Sequence, residues 1–417
     1  MDADVIVIGA GPSGMMAAMT AAANGAQTLI LERNERAGRK LAITGKGRCN
    51  LTNTAPLRDY EEQIVSNPRF MLSALNRFTN QDVMNYFESM GVRLKVERGQ
   101  RVFPVSDRAY DIVDALVEGC LRQRVRFLYR TVVETVERTE TGFSIVTDKG
   151  RYESRRLIIA AGGRSYPRTG STGDGYRWAA DLGIHVLEPQ PALVPLLCPE
   201  HWVHGLQGLA LKNVRISIDD EGSKKPLFTD FGEMLFTHFG VSGPIILSAS
   251  SFLQKARASG RVNGDLTLHI DLKPALDSET LKRRILRDIR EQGRKQLKTV
   301  LEGLLPKRMI TVILNQSGLD GEQTAKTLTD RQVDVLTEQL KNLSCMIRGF
   351  GSFDEAIITQ GGVDVRDIHP KTMESKSVPG LYFVGEILDV DALTGGFNLQ
   401  IAFSTGYAGG YFAAGGV

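Results

Sequence analysis

Three glycines in the chain, Gly9, Gly11 and Gly14, stand in the spacing GxGxxG, and Glu32 follows eighteen residues after the last of them. That set can hold a dinucleotide. Gly9 permits a tight turn, Gly11 lets the backbone approach a pyrophosphate, and Gly14 lets a helix pack closely on a strand. Pro12 and Ser13 open that helix, whose N-terminal N–H groups and positive dipole end would face the phosphates. The Glu32 carboxylate can accept hydrogen bonds from both ribose hydroxyls, and it would repel a 2′-phosphate.

The elements that must position these residues are legible on either side of them. The apolar run DVIVI (Asp4 to Ile8) reads as a strand, and MMAAMTAAANG after Gly14 reads as an Ala-rich helix ending at Gly25. Gln27 to Leu31 reads as a second strand that ends at Glu32. A GxGxxG alone is weak evidence, but the strand before it, the helix after it and the acid at the end of the next strand are the context that the motif requires.

The following segment favours FAD over NAD. In RNERAGRKLAITGKGRCNLTN (Arg33 to Asn53), glycines and six basic side chains occupy a stretch where an NAD domain would continue into its next helix. A long loop of this kind is expected to thread along an extended FAD toward its isoalloxazine. Arg33, Arg39, Lys40, Thr44, Gly45, Gly47, Arg48, Cys49 and Asn50 are the candidate contacts. The block AGRKLAITGKGRCNLTN resembles the GxKxxxSGxGRCNxTN signature of the BaiN/RdsA-type NAD(P)/FAD-dependent oxidoreductases, also called the YhiN-like flavoproteins. Thr44 stands where that family commonly has Ser, a change that keeps the hydroxyl.

In the middle of the chain, Ser106 is expected to cap a helix whose apolar residues Ala109, Ile112, Val113, Leu116, Val117, Cys120 and Leu121 recur at helical spacing. Cys120 is therefore a core residue. From Val125 to Tyr152, short alternating runs broken by TETG and DKG predict a β-meander, with Val133 as a backbone candidate for contact with adenine. A buried strand at Leu157 to Ala161 then ends in Gly162-Gly163, and Ala161 and both glycines are candidates for close approach of the dinucleotide. GSTGDGYRWAADLG (Gly170 to Gly183) resembles the TGxGDGxxxA helix start of succinate dehydrogenase-like flavoproteins and reads as flavin-side scaffold. No second strand–GxGxxG–helix unit occurs, so NADPH or NADH is expected to visit the flavin transiently as electron donor.

Four prolines between Leu187 and Glu200 mark a boundary. Residues from about 192 to 272 read as strands and include GEMLFTHFGVSGPIILSAS (Gly232 to Ser250), which is similar to the family's LFTHxGxSGPxxL block. From Asp277 to Leu343 the pattern is helical and charged, with LLPKRM (Leu304 to Met309) another family block. Ala356 to Gly410 carries the strongest resemblance: a strand ends at Gly385-Glu386, where a carboxylate can bind ribityl hydroxyls, and Gly396, Asn398, Leu399 and Gln400 begin a helix whose N-terminus can stabilise negative charge on reduced flavin. The family usually has Gly and Tyr where this chain has Ala392 and Phe397.

The resemblance spans nearly the whole chain. It implies an α/β fold: a Rossmann-like FAD-binding domain of the two-dinucleotide-binding-domain flavoprotein type, made of residues 1–190 and 346–417. A β-rich, barrel-like insert (191–273) and a basic helical insert (274–345) interrupt it, and the insertion is expected over the flavin.

Composition narrows the class. The 417 residues are 42% hydrophobic and 24% charged, enough for a substantial core and two or three domains. Acids at Asp2 and Asp4 stand where a secretion signal would be basic, and no apolar run reaches membrane-spanning length, so the cytoplasm is the expected compartment. Cys49, Cys120, Cys198 and Cys345 are widely spaced, without CxxC or HExxH, and no metal is expected. Net charge is only +3, yet the stretch from Lys282 to Arg308 holds ten Lys/Arg against three acids, the asymmetry left by a polyanion-binding surface.

Candidate proton donors are Cys49, whose other reading is a small residue packed in a tight loop, and His238, whose other reading is a structural histidine. Family members are linked to reduction of a uridine to dihydrouridine in large-subunit ribosomal RNA, to oxidation of a small aminoacetone-like amine, and to reduction of steroid double bonds. The basic segment and the large insertion favour the ribosomal RNA substrate. A flavin-containing RNA-binding factor without catalysis is the alternative from another class.

Overall fold

The structure is a computed structural model and describes residues 1–221, 225–262 and 264–416. It divides into two compact units, Met1–Ala192 with Ser352–Val417, and Leu193–Gly351.

The first unit is built on a parallel sheet. The strand Ala3–Ile8 pairs in parallel with Thr28–Leu31 on one side and with the second half of Gly150–Ile159 on the other. Arg126–Leu128 extends the sheet beyond Thr28–Leu31, and Leu381–Phe383 pairs in parallel with Leu157–Ile159. Val5, Ile6 and Val7 are fully buried, which explains why these strands read as continuous apolar runs rather than alternating ones. The helix Pro12–Ala23 packs along the C-terminal helix Phe397–Ala413. Small residues allow this approach: a Cβ on Gly406 would lie 2.4 Å from the Ser13 carbonyl oxygen, and one on Gly410 would lie 2.2 Å from that of Ala17.

The meander is present as Val133–Arg138, Phe143–Thr147 and Gly150–Ile159. Its third strand runs on as the buried strand expected separately at 157–161, so one ten-residue strand serves the meander with its first half and the parallel sheet with its second.

Three local expectations are corrected. Ser106 does not cap the helix Ala109–Arg122: the N-cap is Arg108, and the Ser106 hydroxyl, three residues before the helix, accepts from the Arg108 N–H at 3.3 Å. The loop from Arg33 to Asn53 contains a helical turn, Arg39–Gly47, broken at Thr44, Gly45 and Lys46. The block GPIILSAS, read among strands, starts the helix Pro244–Ala258, because Gly243 and Pro244 supply a helix entry and the apolar residues after them pack as a helical face.

The second unit has a seven-stranded sheet whose order is Leu343–Ile347, Leu266–Asp271, Ala210–Asp220, Phe228–Phe236, Gly240–Ser242, Leu196–Leu197, Gly349–Phe350. Its first and last members are one continuous segment interrupted at Arg348, so the sheet closes on itself like a barrel. The helices Ser278–Gln292, Lys307–Ser317 and Asp330–Lys341 share its core: Ile216, Leu268 and Ile270 belong to the same buried cluster as Leu281, Ile313 and Leu336. The parts read as separate inserts, 191–273 and 274–345, therefore fall, from Leu193 on, within one compact unit, which continues to Gly351 so that the first unit resumes at Ser352 rather than at 346. Neither helix layer nor sheet buries its apolar face without the other.

Candidate dinucleotide and flavin site

The Gly-rich turn sits between the first strand and the first helix. Gly9 has φ +106°, and a Cβ there would be 2.5 Å from the Ala160 carbonyl oxygen. A Cβ on Gly14 would be 2.0 Å from the Gly9 carbonyl oxygen. These two glycines are required by the protein's own backbone. Gly11 differs: its φ is −79°, which any residue adopts, and no protein atom lies within 4 Å of its Cβ position. The space beside Gly11 is open, so the protein's own packing does not require glycine there, and a side chain would stand where a pyrophosphate would approach the backbone.

Glu32 is buried, and its carboxylate is fixed by three N–H donors: Ala10 N at 2.8 Å on one oxygen, and Asn34 N at 2.8 Å and Asn34 Nδ2 at 2.7 Å on the other. The oxygen held only by Ala10 keeps a lone pair for a ribose hydroxyl. Asn34 also accepts from Arg39 Nη1 at 2.8 Å. Asn34 was not among the sequence candidates, and its position directly after the acid and its neighbour was the only signal for it.

The remaining basic candidates are anchored within the protein. Arg33 donates to Thr172 Oγ1 at 2.6 Å and to Asp174 at 2.8 Å, which ties the second strand's end to the GSTGDG segment. Burial would raise the Asp174 carboxyl, but the hydrogen bonds from Thr172 and Arg33 outweigh it and hold the group below the usual carboxylate range. Arg48 pairs with Glu97 and Asp107 and lies over the Phe103 ring. Lys40 donates to Glu386 and to Ser165 Oγ.

Glu386 is the hub of the other end. Besides Lys40, its carboxylate accepts from Ser165 Oγ at 2.7 Å and from Thr359 N at 3.0 Å. Gly163 is needed beneath it, since a Cβ would meet Thr359 Oγ1 at 2.3 Å and Glu386 Oε1 at 2.9 Å. Ser165 and Thr359 were missed in the sequence, because nothing in their spacing relates them to Glu386. Ala161 and Gly162 are partly exposed, Val133 is buried, and Gly385 contacts the first helix through the Ser13 side chain, 2.4 Å from its Cβ position.

At the start of the C-terminal helix, Gly396 has φ +101° and a Cβ there would be 2.3 Å from the Thr52 carbonyl oxygen. The Asn398 amide spans Ala392 on both sides, accepting from its N–H at 2.9 Å and donating to its carbonyl at 2.7 Å. Gln400 is fully buried, accepts from Thr52 Oγ1 at 2.6 Å and donates to Phe78 O and Ser404 Oγ. Both side chains hold the helix start in place, so what this segment offers a ligand is backbone N–H from Phe397 to Leu399. Phe397, where the family commonly has Tyr, packs edge-on against Tyr60 at 4.9 Å.

Cys49 has no exposed surface, sits at φ +59°, and burial pushes its thiol up to about 12. The small-residue reading of Cys49 therefore fits the geometry. Thr44 hydrogen-bonds to Leu41 O at 2.7 Å, Gly45 is exposed and Gly47 partly so. The buried Asn50 Oδ1 has no hydrogen-bond partner among the described residues. His238 lies in the second unit, exposed, beside the Phe239 ring at 4.7 Å.

The open backbone at Gly11, the anchored Glu32 and the N–H-rich start of the C-terminal helix fit an FAD. No helix among the described residues is long and apolar enough to cross a membrane.

Comparison with known proteins agrees with this geometry. Residues 3–412 match the profile described as HI0933-like protein Rossmann domain. A 3-dehydro-bile acid delta(4,6)-reductase of Clostridium scindens is 32% identical, over 98% of each chain. A ribosomal RNA dihydrouridine synthase of Escherichia coli is 35% identical, over 97% of this chain and 96% of that one. In fold, the chain is similar to 3-ketosteroid delta1-dehydrogenase from Sterolibacterium denitrificans, with TM-score 0.51, 15% identity, and 99% of each chain covered. The chain belongs to the HI0933-like Rossmann-domain family and is an FAD-dependent oxidoreductase.

Proposed function

We propose that this enzyme reduces the C5=C6 bond of a uridine in ribosomal RNA, with NADPH or NADH as the source of electrons. The observation that carries this reading is the charged face of the helix Ser278–Gln292. Arg283, Arg287 and Arg290 recur at helical spacing on the side opposite Leu281, Ile285 and Asp288, and all three are exposed. Not all of the basic segment is available. Lys282 pairs with Asp334, Arg284 and Arg287 with Asp288, Lys298 with Glu322, and Lys307 with Glu302. Arg283, Arg290, Arg294 and Lys295 have no ion pair among the described residues, and these are the cations a phosphate backbone would meet.

Bound FAD supplies a hydride carrier, held by the Gly9–Gly14 turn, Glu32 and the segment from Gly385 to Leu399. The protein's own contributions are separate. The backbone N–H groups of Phe397 to Leu399 favour negative charge beside them. The arginine face would bind the polyanion, the extra binding surface that an enzyme extruding a base from its stack needs. Cys49 is enclosed, and His238 is the other candidate for the donor of the proton to C5.

The bile-acid reductase, similar over the same length, supports a second reading, a small conjugated enone as substrate. In both, hydride goes to the far carbon of a C=C–C=O system and a proton to the near one.

Stopped-flow absorbance of the protein, reduced anaerobically and mixed separately with unmodified ribosomal RNA, a steroid enone or oxygen, and of the oxidised protein mixed with an aminoacetone-like amine, tests the proposal. Reoxidation by RNA with a two-hydrogen mass gain on one uridine is the expected result. Inert RNA with fast reoxidation by the enone would replace the RNA reading with the second one, and RNA binding without any turnover would leave a non-catalytic factor.

A further inference from the structure

The closure of the second unit's sheet brings together groups that the dinucleotide site does not use. Cys198 directly follows Leu196–Leu197, and Cys345 lies in Leu343–Ile347, so the two cysteines come from the segments that meet where the sheet closes. Their sulfurs are 3.8 Å apart and both residues are buried. Glu200 completes the group. One carboxylate oxygen accepts from Met346 N at 2.7 Å, while the other is buried with no hydrogen-bond partner. One donor atom from each of the three residues lies within 4.8 Å of the others.

We propose that Cys198, Glu200 and Cys345 bind a thiophilic divalent cation, with Zn2+ as the best match. Two sulfurs about 2.3 Å from one tetrahedral zinc ion stand about 3.8 Å apart, which is the separation that the protein already holds. A disulfide needs about 2.05 Å, well short of the separation held here, and the backbone beside the cysteines is pinned: Arg348 N donates to Leu197 O at 2.8 Å, and Cys198 O accepts from His204 Nε2 at 2.7 Å. A disulfide would also leave the second Glu200 oxygen without a partner, whereas a cation satisfies it. Two thiolates select zinc over magnesium or calcium. Three protein ligands leave a fourth position to water or to the second carboxylate oxygen. Since the ligands come from both ends of the sheet, the ion would tie the closure and couple binding to the stability of this unit.

Titration of the reduced, metal-free full-length protein with Co2+ under anaerobic conditions tests the proposal. The expected result is a thiolate-to-cobalt charge-transfer band saturating at one ion per chain, displaced by Zn2+, together with a rise in melting temperature on adding Zn2+. Cys198→Ser and Cys345→Ser should each abolish the band, Glu200→Gln should keep a band with at least tenfold weaker affinity, and Cys120→Ser should behave as wild type. The wild-type titration alone decides the matter if a cysteine variant fails to fold. No charge-transfer band, or a band that survives both cysteine substitutions, would overturn the site, as would disulfide formation on mild oxidation in a protein that takes up no metal.

Discussion

Substituting Gly11 and Gly14 separately distinguishes a turn that serves a ligand from one that serves only the fold. Alanine at Gly11 needs no backbone change, because its φ is −79° and no protein atom lies within 4 Å of the new methyl. The metal-free, flavin-free protein should melt within about 1–2 °C of wild type, as surface substitutions away from special features change stability by only about 0.5 kcal/mol. The methyl would enter the space assigned to the pyrophosphate, and overpacking of about 1–3 kcal/mol weakens FAD binding roughly 5- to 150-fold. Alanine at Gly14 places its methyl 2.0 Å from the Gly9 carbonyl oxygen. There the strain falls on the protein itself: about 2–3 kcal/mol, or roughly 4–12 °C in melting temperature for a unit of this size. Thermal melts of the apoproteins, with FAD affinity from quenching of flavin fluorescence, read both quantities. If Gly11→Ala bound FAD as tightly as wild type, the placement of the phosphates beside Gly11 would be wrong.

Other expectations follow from single features. Burial raises the thiols of Cys49 and Cys120 to about 12, above their unfolded value; the stability this confers is complete below about pH 8.5 and is lost as pH rises toward 12, at about 1.4 kcal/mol per pH unit for each thiol. Denaturant melts between pH 8 and 11 should show that decline, shallower in a Cys49→Ala/Cys120→Ala protein, and Cys49→Ala should turn over as wild type; a large loss of turnover would return Cys49 to the chemistry. Asn398→Ala removes both hydrogen bonds to Ala392 and should cost about 1–3 kcal/mol in denaturant melts; an unchanged melt would show that the amide does not hold the helix start. Replacing Arg283, Arg290, Arg294 and Lys295 by Gln should reduce the slope of log affinity against log salt for ribosomal RNA by about 3, while Lys282→Gln, which breaks an existing ion pair, should change it little; equal effects would argue against a phosphate-binding face.

Some features were legible because short-range physics sets them. The turn at Gly9 to Gly14, the acid closing the second strand, and the apolar stripe that buries Cys120, though its last expected member Leu121 is exposed, each depend on residues within about two dozen positions, where periodicity and glycine placement carry the signal. The whole-chain resemblance extended this to a dinucleotide fold with an interruption. It did not extend to partners remote in sequence. Arg33 was a ligand candidate in the sequence and is tied to Asp174, and Gln400 is used to hold Thr52, Phe78 and Ser404; the polar type of a residue does not say whether protein or ligand will satisfy it.

By itself, the sequence determined the parallel dinucleotide-binding core, because glycine spacing, strand hydrophobicity and one well-placed acid admit few other folds. Only the tertiary structure decided that the strands and helices between residues 193 and 351 form one unit, that half of the basic segment is already paired, and that Ser165 and Thr359 hold Glu386. It also decided that Cys198 and Cys345, 147 residues apart, stand 3.8 Å from each other. Each of these rests on contacts closed by the folded chain, where the cost of bringing distant residues together is met by burial of the whole core rather than by any local pattern.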